Sequence, residues 1–139
     1  MGWFGHHQLG VALMCADWRP DRSRADLYKR LCRTLHVDGL DVNAVPRPDG
    51  LLDPARAQEW EAVAGWVKLL VGAHKPVKLA MIAHQRCAGH PVEDDRHEHD
   101  VLETAMALKE KVGFDGPVLA LVATYNSDRS WGIKEIGVY

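Results

Sequence analysis

The sequence predicts a doubly wound α/β fold, with a mainly parallel sheet of four to five strands and helices on both of its faces. Short apolar runs of strand length alternate along the chain with longer segments of helical periodicity, which is typical of strand–helix–strand units. The chain has 139 residues, which is the length of one domain. We therefore predict a single domain that spans residues 1–139. We assume the strand order 2-1-3-4, reached by right-handed crossovers.

The first part of the chain supplies two strands separated by a helix. The apolar run from Leu9 to Met14 ends in Cys15 and predicts a first strand that is buried on both faces. Leucines at four-residue intervals between Ser23 and Leu35 predict an amphipathic helix. The run from Gly39 to Val45 predicts the second strand, because proline, aspartate and glycine follow it as turn residues.

The middle of the chain predicts the longest helix and a third strand. Asp53 is the predicted N-cap of the helix, and Pro54 suits its first position. Apolar residues then recur with helical spacing from Ala55 to Ala73. The run from Val77 to Ala83 predicts a buried strand that reaches His84.

The last part of the chain completes the alternation of helices and strands. A polar stretch from Pro91 to His99 precedes a predicted helix that stops at Gly113. Apolar runs from Pro117 to Thr124 and from Trp131 to Tyr139 predict the fourth and fifth strands.

Composition and charge exclude several kinds of partner. Lys and Arg total 17 against 19 for Asp and Glu, with no basic run, so we expect no nucleic-acid partner. No segment approaches the ~18 uninterrupted apolar residues of a membrane span. The amino terminus lacks a signal-peptide pattern, and the three cysteines are not spaced like a disulfide framework. We therefore expect a cytoplasmic protein without a membrane partner.

Three candidate metal ligands lie at or near the ends of predicted strands. Cys15 closes the first strand, His84 closes the third, and Cys87 follows in an H-x-x-C pattern. In a 2-1-3-4 sheet, ligands bind at the switch point between strands one and three. Two thiolates and an imidazole are typical of zinc, and a catalytic zinc keeps a fourth position open. The alternative is a buried thiol beside a solvated histidine.

Asp17 and Arg19 form a candidate catalytic pair beside Cys15. In an extended segment these three side chains lie on one side, while Trp18 points the other way. An aspartate paired with arginine stays ionised, so it can accept a hydrogen bond from a reacting water or bind the metal itself. The alternative is a surface ion pair of little energetic value.

Two other groups of polar residues are weaker candidates. Gly89 and His90 follow Cys87 and should lie near the rim of the cleft, where His90 could act as a proton shuttle but not as a metal ligand. A second group could form another metal site or shuttle, although we expect a solvated loop that leads into a helix: Asp94, Asp95, His97, His99 and Asp100.

The sequence C-A-D-W-R followed by H-Q-R-C-A-G resembles the C-x-D-x-R and H-x-x-C signatures of the beta-class carbonic anhydrases. Members of that family are α/β zinc enzymes that hydrate carbon dioxide to bicarbonate, usually as dimers or multiples of dimers. The resemblance implies that the three candidate ligands hold Zn²⁺ and that a metal-bound hydroxide attacks carbon dioxide. It also implies that Asp17 and Arg19 are the catalytic dyad and that the protein is a homodimer.

The chain also departs from the family pattern. Val42 and Val45 flank Asn43-Ala44, where members often have R-N-A-G, and Ala88 replaces the first glycine of H-x-x-C-G-G. Related members hydrolyse carbonyl sulfide or carbon disulfide with the same ligands. Two alternatives therefore remain, which are a hydrolase of that kind and a non-catalytic zinc-binding module.

Overall fold

A five-stranded sheet of order β2-β1-β3-β4-β5 forms the centre of the structure, a computed structural model that describes residues 8–16, 24–125 and 131–139. Strands β1 to β4 are parallel to one another, and β5 is antiparallel to its neighbour β4. The predicted α/β class and the assumed order 2-1-3-4 are confirmed. The strands are β1 (Leu9–Cys15), β2 (Gly39–Val45), β3 (Lys78–His84), β4 (Val118–Tyr125) and β5 (Trp131–Val138).

Helices cover both faces of this sheet, as predicted. The helix α1 (Arg24–Leu35) packs its buried leucines against one face. The helices α2 (Ala57–His74) and α3 (Asp94–Val112) contribute Val67, Val101 and other apolar residues to the core on the opposite face. Strands β1 and β3 lie between these two layers and are almost entirely buried, which explains why their sequences are apolar throughout.

Two helix starts differ from the sequence-based expectation. Asp53 caps a short 3₁₀ turn (Pro54–Arg56) by accepting a hydrogen bond from the Ala55 amide at 3.0 Å, and α2 begins only at Ala57. The larger difference concerns α3, which begins at Asp94 inside the segment we expected to be a loop. Acidic residues in a first helical turn interact favourably with the helix dipole, so a polar stretch does not exclude a helix here.

The prediction of a solvated loop before α3 is wrong, because residues in the first turns of this helix are buried. His97 is 0% exposed and Asp100 is 8% exposed, although both belong to the stretch of charged residues that precedes the apolar part of the helix. A second short 3₁₀ turn, Pro48–Gly50, follows β2 and is also buried. Within the ranges that the structure describes, no helix is long and apolar enough to cross a membrane.

Candidate metal centre

The end of β1 and the end of β3 bring the first two candidate ligands together. These strands are parallel neighbours, with Met14 opposite Ile82, and Cys15 and His84 are their last residues. Because neighbouring parallel strands end at the same edge of a sheet, the thiol and the imidazole both lie at the carboxyl edge. Both side chains are buried, each with 1% exposure.

A turn after β3 returns Cys87 to the same place. Arg86 adopts a left-handed conformation with φ of 56°, which is uncommon for a residue with a side chain and reverses the chain direction here. As a result Cys87 Sγ lies 3.5 Å from Cys15 Sγ. One ligand atom from each of Cys15, His84 and Cys87 lies within 4.8 Å of the others. We refer to these three residues as the thiolate centre.

The spacing and chemistry of the thiolate centre fit zinc. Two thiolates at Zn–S distances of about 2.3 Å in a tetrahedron are about 3.8 Å apart, close to the observed 3.5 Å between the sulfurs. A disulfide needs about 2.05 Å, and neither of these cysteines forms one. The arrangement therefore provides two sulfur ligands and one nitrogen ligand, the set that tetrahedral zinc sites use.

The imidazole of His84 is oriented by its backbone surroundings. Nδ1 donates a hydrogen bond to the Gln85 carbonyl at 2.8 Å, so the proton of a neutral ring lies on Nδ1 and the lone pair on Nε2. Gln85 is itself attached to β4, since its amide donates to Ala123 O at 3.1 Å and its Oε1 accepts from Tyr125 N at 3.0 Å. Metal-binding histidines commonly donate their second ring nitrogen to a carbonyl in this way.

The remaining predicted site residues have different outcomes. Asp17 and Arg19 lie outside the described residues. Gly89 borders the thiolate centre, because a Cβ built on it would lie 3.9 Å from Cys87 Sγ. His90 instead donates from Nε2 to Asp100 Oδ2 at 2.7 Å, so it faces another group of polar side chains.

That other group contains a residue that sequence reasoning missed. Asp49 Oδ2 accepts a hydrogen bond from His97 Nδ1 at 2.6 Å and lies 3.9 Å from His90 Nε2. We refer to Asp49, His90, His97 and Asp100 as the imidazole–carboxylate group. A usable signal was present in the sequence, because Asp49 follows the predicted end of β2 at the same sheet edge as Cys15.

The fold and the thiolate centre together define an α/β protein with a candidate metal site at the switch point of its sheet. The family described as "Putative carbonic anhydrase" matches residues 5–136 of the chain. The chain therefore belongs to this family, and the resemblance to carbonic anhydrases is confirmed. No individually curated protein matches it.

Proposed function

We propose that this protein is a zinc-dependent carbonic anhydrase that catalyses the reversible hydration of carbon dioxide to bicarbonate. The observation that carries the proposal is the convergence of Cys15, His84 and Cys87 in one buried group, in a chain that belongs to a carbonic anhydrase family. Bound zinc would supply the Lewis acidity that makes water nucleophilic near neutral pH.

The protein's own residues hold the ion and orient the reactants. Cys15 and Cys87 provide two anionic ligands, and the Gln85 carbonyl holds the His84 ring in the tautomer that presents Nε2. Gly89 lies beside Cys87 Sγ, where a Cβ would make an ordinary contact at 3.9 Å. Burial of all three ligands limits competition from bulk water for the metal.

Asp17 and Arg19 are the proposed catalytic pair, on the strength of the C-A-D-W-R sequence. Asp17 accepts a hydrogen bond from the reacting water and so aims its lone pair at the carbon of carbon dioxide. Arg19 keeps that carboxylate ionised and oriented through a charge-assisted hydrogen bond. This division of roles makes Asp17 dispensable for metal binding but necessary for turnover.

The setting proposed for this activity is a cytoplasmic homodimer of single-domain subunits. Thiols stay reduced in a reducing compartment such as the cytosol, and neither ligand cysteine forms a disulfide. Trp66 and Leu69 lie on α2 with 48% and 59% exposure, and exposed apolar side chains of this size suit a subunit interface better than a solvated surface.

The proposed activity is tested by metal analysis and stopped-flow measurement of carbon dioxide hydration. We expect zinc at the thiolate centre of the wild-type protein, loss of one zinc per chain in Cys87→Ser, and retention of this zinc in Asp17→Asn with turnover reduced by about 100-fold or more. Asp115→Asn, which changes an exposed aspartate elsewhere, is the matched control and should keep full turnover.

Each other outcome identifies a different failure. Unchanged turnover in zinc-loaded Asp17→Asn would remove the dyad from the mechanism. Faster reaction with carbonyl sulfide or carbon disulfide than with carbon dioxide would select the hydrolase alternative. Zinc-loaded wild-type protein without turnover of any of these substrates would indicate a non-catalytic module, and full activity of folded, metal-free protein would contradict the proposal as a whole.

A further inference from the structure

The imidazole–carboxylate group has the composition and spacing of a second metal site. We propose that Asp49, His90, His97 and Asp100 bind a divalent transition-metal ion, separately from the thiolate centre. This site does not depend on the proposed carbonic anhydrase activity, because none of its ligands belongs to the thiolate centre.

Three segments of the chain bring the four side chains together. Asp49 comes from the 3₁₀ turn after β2, His90 from the loop after β3, and His97 and Asp100 from the first turns of α3. The two helical residues are three positions apart and so lie on one face of α3. Ligand atoms of Asp49, His90 and His97 lie within 4.8 Å of one another, and Asp100 Oδ2 is 2.7 Å from His90 Nε2.

Burial makes the two carboxylates of this group costly without a positive charge. The side chains of Asp49 and Asp100 are 1% and 9% exposed, and a buried carboxylate is stable only when it is paired or bound to a cation. Arg96 donates to Asp100 Oδ1 at 2.8 Å, but its side chain is 61% exposed. Among the described lysines and arginines, none pairs with Asp49.

His97 has one paired and one unpaired ring nitrogen. Its ring is fully buried, and Nε2 has no hydrogen-bond partner among the described atoms. The described ion pairs of Asp49 are therefore with two histidines and with no lysine or arginine.

His90 fits closely against Gly50 and lines a cavity that is open to solvent. A Cβ at Gly50 would lie 2.9 Å from His90 Nδ1, so the missing side chain makes room for the imidazole ring. His90, Asp49 and Asp100 also line a cavity of about 350 Å³, together with Glu103 and Thr104. An ion in this cavity can therefore reach Asp49, His90 and Asp100, and water has space there to complete its coordination.

The ligand types indicate the class of ion. Two imidazole nitrogens and two carboxylate oxygens suit zinc, cobalt and other divalent first-row ions better than calcium or magnesium, which prefer oxygen alone. A bound ion would replace the two protons that now join His97 to Asp49 and His90 to Asp100. The competing explanation is a network held by those hydrogen bonds only.

Cobalt titration of the chelator-treated full chain separates the two sites. Thiolate-to-cobalt charge-transfer absorption reports the thiolate centre alone, because the second site has no sulfur ligand. We expect about two ions per chain by equilibrium dialysis, of which about one gives this absorption. In Cys87→Ser the ion without thiolate absorption should remain bound.

Variants of the least buried ligand and of a carboxylate locate the second ion. His90 is 16% exposed, so His90→Gln is the substitution that disturbs the core least, and Asp100→Asn preserves side-chain shape. Each substitution should lower the affinity for the cobalt ion at the second site by more than about tenfold and leave the thiolate-to-cobalt absorption unchanged. The matched control is His74→Gln, which removes an exposed histidine–aspartate pair with Asp41 and should leave both ions bound.

Two results would overturn the second site. One is a wild-type protein that binds a single ion with thiolate absorption, and the other is a second ion that keeps its affinity in both folded variants, with folding checked by circular dichroism. If instead the thiolate centre binds nothing while a thiolate-free ion is lost in His90→Gln, the carbonic anhydrase proposal fails and the second site stands.

Discussion

The thiolate centre and the imidazole–carboxylate group lie at the same edge of the sheet but are assembled in different ways. Cys15 and His84 end neighbouring strands, so the sheet topology alone brings them together. The second group depends on a 3₁₀ turn, a loop and the first turns of a helix. The comparison teaches that the strand order determines the first site, whereas the packing of connecting segments determines the second.

The two groups also differ in what their residues cost when no metal is bound. A buried thiol behaves as a small apolar group, so Cys15 and Cys87 can pack at 3.5 Å with little penalty. A buried carboxylate cannot, because it loses its hydration. At the thiolate centre, removal of the metal should therefore lower the free energy of unfolding mainly by the lost binding energy. At the second group, removal of one hydrogen-bonding side chain should lower the free energy of unfolding even without metal.

The largest expected effect is the loss of zinc stabilisation in Cys87→Ser. At a free zinc concentration about 1,000 times the dissociation constant of the thiolate centre, binding adds about 4 kcal/mol to the free energy of unfolding. Cys87→Ser should lose this increment, as measured by urea denaturation with zinc and with a chelator. Cys32→Ser changes the remaining cysteine, which lies on α1 away from the centre, and should keep it. An equal zinc increment in both variants would contradict the assignment of Cys87 as a ligand.

The next effect distinguishes two histidines of α3 in the absence of metal. His97→Ala leaves Asp49 buried without its hydrogen-bond donor, and leaving a buried charged acceptor unsatisfied costs about 3 kcal/mol or more. His99 is two residues away but its side chain is 56% exposed, so His99→Ala should change the free energy of unfolding by no more than about 0.5 kcal/mol. Both values come from urea denaturation with a chelator present. Similar costs for the two substitutions would show that burial of His97 carries no special energetic role.

The contrast between the two groups also explains how far the sequence alone could go. Buried strands predicted the fold class, and the H-x-x-C pattern together with the assumed strand order predicted the grouping of Cys15, His84 and Cys87. The start of α3 was predicted wrongly because local polarity indicated a loop, whereas tertiary packing buries His97 under Asp49. That contact joins residues 48 positions apart. The periodicity of either segment alone does not predict that this face of α3 packs against the turn that contains Asp49.

The smallest expected effect compares a glycine of each group, using Gly50→Ala and Gly89→Ala. Neither glycine has a positive φ, so the substitutions differ in space and not in backbone strain. The new methyl at position 50 would meet the His90 ring at 2.9 Å, whereas at position 89 the nearest contacts are ordinary ones of 3.5 Å and 3.9 Å. We expect Gly50→Ala to cost about 1–3 kcal/mol and to weaken binding of the cobalt ion at the second site, because the His90 ring must shift from its present position. Gly89→Ala should cost no more than about 0.5 kcal/mol, and the reverse order of these two costs would mean that His90 is not held in the seat that the second site requires.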